Sequence, residues 1–254
     1  LGIFAVEKRK TMELEICTNS YNSALAAQEG GADRIELCVG LAEGGLTPSM
    51  GLVKQVAQLN GLKKHVLIRS RAGDFCYTPD EVAVMEADIR LLSKAEVDGV
   101  VIGALNPDGT IDLPTMRRLI AAAEGLSITF HRAFDMCADP EKALEDVIAL
   151  GCHRILTSGL SPTAEQGIPM LRKLVELSQR RIEIMPGCGV TPQNAARILR
   201  ETGATNIHAS AKHTRDSVMT YRRDSIDMGE KGKDEFAIQE TSPRLVAEIR
   251  KAIG

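Results

Sequence analysis

The sequence contains no tryptophan and few aromatic residues of any kind. Aromatic side chains make up only 3% of the 254 residues, whereas hydrophobic residues make up 44%. The core must therefore be built from the aliphatic side chains of Ala, Val, Ile, Leu and Met. A chain of this length is long enough to bury a large core of that kind.

Charge, apolar runs and cysteine spacing each argue against a class of protein. The formal net charge of −3 does not suit a general binder of nucleic acid or of membrane surfaces. No apolar run approaches the roughly 20 residues that span a bilayer. The six cysteines include no Cys-x-x-Cys pair, which argues against a zinc ribbon or a thioredoxin-type motif. We therefore expect a cytoplasmic protein with reduced thiols and with no nucleic-acid or membrane partner.

The strand-like pattern begins only at Met12. The preceding segment, LGIFAVEKRKT, has an apolar piece too short for a signal peptide, and its basic residues follow that piece instead of preceding it. We predict that residues 1–11 form a flexible leader and that residues 12–254 form one domain.

From Glu13 onward, short β-branched runs alternate with longer helical patterns until eight such units have passed. Strict alternation favours a parallel sheet covered by helices, and eight units in about 250 residues are typical of the closed barrel. The sequence therefore predicts an α/β fold, a single-domain (β/α)8 TIM barrel, in preference to a doubly wound open sheet. The stretch from Ala211 to Thr241 is predicted to be irregular, as a lid, a binding loop or a disordered excursion.

Polar residues interrupt the predicted strands at every second position, so that they share the face that points into the barrel. Burying such charges is costly unless they pair with one another or bind something. One alternative is a self-contained salt-bridge layer of the glutamates with the arginines, and the other is a functional site. The residues predicted to converge on the lumen are Glu15, Cys17, Glu36, Cys38, Arg69, Arg71, His131 and His208.

The histidines, arginines and a glycine-rich turn suggest acid–base chemistry on an anionic ligand. His131 and His208 are candidate catalytic residues, because imidazole titrates near neutral pH, and Glu15 or Glu36 would orient them or stabilise charge. The candidates for holding an anion are Arg69, Arg71, Gly187 and Gly189. The two glycines lie in the turn after the seventh strand, where backbone N–H groups can approach an anion, although a tight turn alone also explains them.

Cysteines occur at corresponding places in the first two strands. Cys17 and Cys38 each lie two residues after a glutamate on neighbouring strands, so their side chains can meet in the lumen. Two facing thiolates suit a soft ion such as Cu(I). The alternative is that they pack as small hydrophobic residues. Cys188, inside the glycine turn, is a further candidate, because the positive end of a following helix would stabilise its thiolate.

From Met12 to its end the chain resembles the CutC family, whose members are named for copper homeostasis. The resemblance rests on long stretches of sequence that span nearly the whole chain. They are LEICTNSYNSALAAQEGGADRIELCVGLAEGGLTPSMG, ADIRLLSKAEVDGVVIGAL, ITFHRAFDM, RILTSG, MPGCGVT and IHASAKHTRDS.

The resemblance implies a cytoplasmic barrel that forms homodimers and handles copper as Cu(I). It implies that the ligands are the cysteines of the first two strands, here Cys17 and Cys38. The chain departs from the family at Cys188, where glycine is frequent, and this adds a thiol near the mouth of the barrel. Two functions remain open: Cu(I) binding, and catalysis by an uncharacterised barrel enzyme on a small anionic or phosphorylated metabolite.

Overall fold

Eight short parallel strands form the wall of a barrel in a computed structural model that describes residues 12–223, 225–226, 232 and 234–254. The strands are β1 (Glu13–Thr18), β2 (Arg34–Leu37), β3 (Lys63–Leu67), β4 (Gly99–Ile102), β5 (Ser127–Phe130), β6 (Arg154–Thr157), β7 (Glu183–Pro186) and β8 (Asn206–Ala209). Their order in the sheet is β7-β6-β5-β4-β3-β2-β1-β8, and β7 and β8 lie in contact, so the barrel is nearly closed. The predicted (β/α)8 fold is confirmed.

Helices cover the outside of the barrel and alternate with its strands. They are α1 (Tyr21–Glu29), α2 (Met50–Ala57), α3 (Pro79–Leu92), α4 (Leu113–Ala122), α5 (Pro140–Ala149), α6 (Ile168–Ser178), α7 (Ala195–Thr202) and α8 (Pro243–Ile253). Local sequence signals explain their starts: in α3, Thr78 and Glu81 form a reciprocal capping box and Pro79 occupies the first turn. Before α6 and α7 the chain forms turns, so these helices begin only at Ile168 and Ala195.

The main core lies between the sheet and the helices. The strand residues that alternate with the polar ones point outward and are fully buried there, as predicted. They include Leu14, Ile16, Ile35, Val66, Ile68 and Ile207. Because these positions bury the apolar side of each strand, the polar side faces the lumen.

The stretch from Ala211 to Thr241 is not irregular throughout, which corrects the prediction. Strands β9 (Lys212–Asp216) and β10 (Ala237–Thr241) pair antiparallel and form a two-stranded arm beside the barrel. All five residues of β9, KHTRD, are exposed, so the strand has no apolar alternation from which it could be recognised. Part of the connection between β9 and β10 lies outside the described residues, as does the predicted leader at residues 1–11.

Among the described residues, no helix combines the length and the apolar composition that a membrane crossing requires.

Candidate functional site

A cavity of about 760 Å³ opens at the carboxyl ends of the barrel strands. This is the end of the fold where barrel enzymes carry their active sites. Seven of the predicted candidate residues line this cavity: Cys17, Glu36, Arg69, His131, Cys188, Gly189 and His208. Glu15 lies on the same face of β1 as Cys17, two residues earlier, and is fully buried.

The register of the sheet places Glu15 between two cationic side chains. On β2 its partner in register is Arg34, and on β8 it is His208. One carboxylate oxygen of Glu15 accepts a hydrogen bond from Arg34 Nε, and the other lies 2.7 Å from His208 Nδ1. Arg34 also contacts the Glu13 carboxylate at 2.7 Å. The glutamate predicted to pair with Arg69 or Arg71 is therefore paired with Arg34 and His208.

These contacts fix the charge states on this side of the lumen. Burial raises the pKa of Glu15, but Arg34 and His208 outweigh it and hold that pKa well below its usual range. Burial lowers the pKa of His208, but its hydrogen bonds with Cys17 and Glu15 and the charge of Glu36 raise it well above the usual value. His208 is therefore an imidazolium at neutral pH, held between two carboxylates.

Cys17 and Cys38 meet in the lumen, as the sequence predicted. Their sulfur atoms lie 3.5 Å apart. A carboxylate oxygen of Glu36 completes a group of three ligand atoms that all lie within 4.8 Å of one another, which is compact enough to hold a metal ion. The hydrogen bond with Cys38 and burial raise the pKa of Cys17 well above its usual value, so without a metal this residue is a neutral thiol. Glu36 has a raised pKa because it is buried and because Glu15 repels its charge, although His208 opposes the shift.

Arg69 lies two residues beyond the end of β3 and donates hydrogen bonds to backbone oxygens of the surrounding loops. Its Nη1 donates to the carbonyl oxygens of Glu43 at 2.6 Å and Gly45 at 3.1 Å, and its Nη2 donates to that of Gly73 at 2.6 Å. Its Nε is buried and has no hydrogen-bond acceptor in the described part of the chain. Arg69 thus holds loops together at the mouth of the barrel while its charge faces the cavity.

His131, at the end of β5, is buried and neutral. Burial lowers its pKa to about 3, and the nearby charge of Arg69 adds to the shift. Its Nδ1 accepts a hydrogen bond from the backbone N–H of Ala133 at 3.1 Å, so the ring proton lies on Nε2. Within the described residues that Nε2 has no partner. A group with so low a pKa suits hydrogen-bond donation better than proton abstraction at neutral pH.

Two of the predicted anion-binding residues, Arg71 and Gly187, bond to other groups of the protein. Arg71 follows the end of β3, turns away from the lumen and pairs with Asp74 at 2.9 Å and Glu81 at 2.5 Å. The backbone N–H of Gly187 donates to Thr157 in the neighbouring strand at 3.0 Å. Gly189 lines the cavity with φ +70°.

Cys188 lines the cavity, but its setting differs from the one predicted. Its backbone has φ +79°, and its thiol lies 3.2 Å from the carbonyl oxygen of Pro162. Helix α7 begins only at Ala195, so Cys188 does not lie in the first turn of that helix.

Four residues of this region were not among the predicted site residues. Arg34 lies two residues before Glu36 on β2, and His65 lies on β3, four residues before Arg69, so both face the lumen. Strand alternation alone was therefore enough to predict both as lumen residues. Phe75 lies in the loop after β3, with its ring 5.0 Å from that of His131. Asp135 accepts hydrogen bonds from the N–H and hydroxyl of Ser158 at 3.0 Å each. No sequence signal placed these last two residues at the site.

The comparisons with known proteins agree with this architecture. The model of the CutC family matches residues 12–213. The family protein CutC of Bacteroides thetaiotaomicron is 52% identical over 221 residues, which are 87% of this chain and 89% of that protein. The human copper homeostasis protein cutC homolog is 50% identical over 216 residues, which are 85% of this chain and 79% of that protein.

A solved structure of a CutC protein has the same fold. The crystal structure of the CutC protein from Streptococcus agalactiae superimposes with a TM-score of 0.75 at 36% sequence identity, and covers 78% of this chain and 98% of that one. The family model spans all eight barrel strands and the paired cysteines. The chain belongs to the CutC family.

Proposed function

We propose that this protein binds Cu(I) in its barrel lumen through the thiolates of Cys17 and Cys38. The observation that carries the proposal is the 3.5 Å separation of the two sulfur atoms. Soft thiolate ligands select Cu(I), and the Glu36 carboxylate lies close enough to be a third ligand. The human relative's name, copper homeostasis protein cutC homolog, supports the same metal.

The surrounding charges suit a dithiolate that carries a monovalent ion. Copper must displace the thiol protons, since the thiolate and not the thiol is the ligand. Two thiolates with one Cu(I) carry a net charge of −1, the Glu36 carboxylate adds another −1, and the His208 imidazolium, 3.8 Å from Glu36, offsets part of this charge from β8. Glu15 holds His208 in place and is itself paired with Arg34, so that Glu15 and Arg34 together add no net charge.

The test is an anaerobic titration of the reduced protein with Cu(I) against a competing chelator. We expect one tight site per chain, which the double variant Cys17→Ser/Cys38→Ser loses. The matched control, Cys76→Ser/Cys137→Ser, removes two thiols that do not line the cavity and should bind copper like the unmodified protein. Weak binding, or tight binding that survives loss of Cys17 and Cys38, would refute the proposal.

We further propose that the protein is a cytoplasmic homodimer. The support for this assembly and location is the resemblance to the CutC family. Light scattering should give a mass of twice the 27.5 kDa of one chain, and a mass of one chain at micromolar concentration would contradict the dimer.

Catalysis on a small anionic or phosphorylated metabolite is a second candidate function. The cavity favours it, because about 760 Å³ falls within the range of small-molecule sites. In this function His131 would donate a hydrogen bond from Nε2, while Arg69 would hold the anion. Screening metabolites for turnover, with His131→Asn as the matched inactive variant, tests it. Equal turnover by both proteins would exclude a catalytic role for His131.

A further inference from the structure

Arg69 is a buried cation without a counter-ion. It is only 5% exposed, and the described residues offer it three backbone carbonyls and no carboxylate within ion-pair distance. An arginine carries five N–H donors, so two remain, and one of them is the unpartnered Nε–H. A buried charge of this kind is costly unless something of opposite charge reaches it. Because Arg69 lines the cavity, a bound anion can do so.

Two neighbours make the surroundings of Arg69 suitable for an organic anion. The Phe75 ring centroid lies 5.0 Å from the Arg69 guanidinium carbon and 5.0 Å from the His131 ring centroid. The Nε2–H of His131 provides a second unused donor. A carboxylate with a short carbon chain fits this combination of donors and an aromatic face. We name Arg69, Phe75 and His131 the arginine wall.

The arginine wall lies next to the paired cysteines. A Cβ atom built on Gly45 would be 3.7 Å from the Cys38 sulfur, and the carbonyl oxygen of the same glycine accepts from Arg69 Nη1 at 3.1 Å. Only one small residue therefore separates the thiol from the guanidinium. This proximity favours a ligand whose sulfur and carboxylate are two or three carbons apart.

The position of the thiols limits what can deliver copper to them. Cys38 is fully buried, and both thiols face the lumen and not the outer surface. The donor must therefore enter the cavity, whose volume of about 760 Å³ suits a small molecule. Soft thiolates are the ligands that hold Cu(I) in solution, so a small thiol is the fitting class of donor.

We propose that copper enters this cavity as a complex with small anionic thiols, and that Arg69 holds the donor's carboxylate while Cys17 and Cys38 take the metal. This inference rests on the proposed Cu(I) binding. The exchange balances without a redox step: a complex of Cu(I) with two donor thiolates reacts with two cysteine thiols. It gives Cu(I) on two cysteine thiolates and two free donor thiols, which carry away the cysteine protons.

Three donors of similar size and different charge test the proposal. They are 3-mercaptopropionate, which is anionic, 2-mercaptoethanol, which is neutral, and cysteamine, which is cationic. Stopped-flow absorbance under anaerobic conditions measures transfer of Cu(I) from each donor complex to the reduced protein. A charge-assisted hydrogen bond is worth about 1.5–3 kcal/mol, so we expect uptake from the anionic donor to exceed uptake from the neutral one by about tenfold or more.

Variants assign this preference to Arg69. In Arg69→Met, the ratio of uptake from 3-mercaptopropionate to uptake from 2-mercaptoethanol should fall about tenfold, because the guanidinium that binds the carboxylate is gone. The control is Arg71→Met, which removes a nearby arginine that is already paired with two carboxylates and should keep the ratio. The ratio is internal to each protein, so a general loss of stability does not mimic the effect. Raising the salt concentration should lower the ratio in the unmodified protein.

A copper-free measurement checks the same contact. At equal concentration, 3-mercaptopropionate should raise the thermal midpoint of the unmodified protein more than 2-mercaptoethanol does, and Arg69→Met should lose this difference.

Copper uptake at equal rates from all three donors would overturn this inference and leave Cu(I) binding standing. Absence of uptake from every donor would overturn both. A ratio that Arg69→Met retains would show that the arginine only fastens loops.

Discussion

On the β1–β2–β8 side of the lumen, the buried Arg34 and His208 each contact carboxylates, whereas on the β3–β5 side the buried Arg69 and His131 contact none. We call these the paired side and the unpaired side. Burial lowers the pKa of both histidines, yet the pKa of His208 is raised well above the usual value and that of His131 falls to about 3. Carboxylate partners, and not depth, therefore decide which buried histidine is charged.

The difference suggests that the two sides of the cavity have different roles. The paired side has its charges balanced before any ligand arrives, which suits a site that must hold two thiols in fixed positions. The unpaired side keeps a cation and two buried, unused N–H donors on residues that line the cavity, which suits a site completed by a ligand. The predictions below change residues of each side in turn.

The largest effect is expected from Glu15→Gln on the paired side. The substitution removes the charge that lies between Arg34 and His208 and leaves both cations buried. Breaking a buried pair in this way typically costs about 3–5 kcal/mol, and urea denaturation measures the loss in the free energy of unfolding. The matched control is Glu13→Gln, since Glu13 contacts the same Arg34 from a position 33% exposed and should cost less than about 1 kcal/mol. Equal losses would mean that Glu15 is no more important than a surface partner.

The sequence predicted the paired cysteines correctly because their placement depends only on strand alternation and strand order. Cys17 and Cys38 follow glutamates at the same spacing on neighbouring strands, and both rules held. The same rules applied to Arg34 would have identified the partner of Glu15. Arg71 was misplaced for a simple reason: β3 ends at Leu67, so alternation no longer describes the chain four residues later.

The remaining features of the site depend on loops. Phe75 reaches Arg69 and His131 through the fold of the β3–α3 connection, which local sequence does not specify. The antiparallel arm of β9 and β10 was likewise not predicted, because its two strands are joined by contacts between residues distant in sequence, such as Arg215 with Glu240 at 3.0 Å. Periodicity predicts the direction of side chains on a regular strand. The positions of loop residues and of the arm depend on contacts between distant segments.

A smaller effect, and one specific to the unpaired side, is acid sensitivity caused by His131. The unfolded chain takes up a proton near its ordinary pKa of about 6.5, while the folded ring stays neutral down to about pH 3. The unfolded state therefore binds more protons in this window, and His131 makes the free energy of unfolding fall as the pH is lowered. The linkage relation gives a loss of about 2 kcal/mol between about pH 7 and pH 5.

Urea denaturation at both pH values, for the unmodified protein and for His131→Asn, measures that loss. The variant should lose about 2 kcal/mol less than the unmodified protein over the same window. His65, whose pKa burial also lowers to about 3, provides an independent check, since His65→Gln should flatten the profile in the same direction. Unchanged pH profiles in both variants would show that neither ring is held neutral by the fold.

The smallest effects should separate Arg69 from Arg71, two arginines that are two residues apart. Arg69→Met removes three hydrogen bonds to backbone carbonyls but also removes a buried charge without a counter-ion, so the two effects partly cancel. We expect it to lower the free energy of unfolding by about 1–2 kcal/mol, well below the loss for Glu15→Gln. Arg71→Met breaks only partly exposed ion pairs and should cost less than about 1 kcal/mol. If Arg69→Met instead equals Glu15→Gln in urea denaturation, Arg69 is a structural fastener of the cavity mouth, and the unpaired side does not need a ligand to balance it.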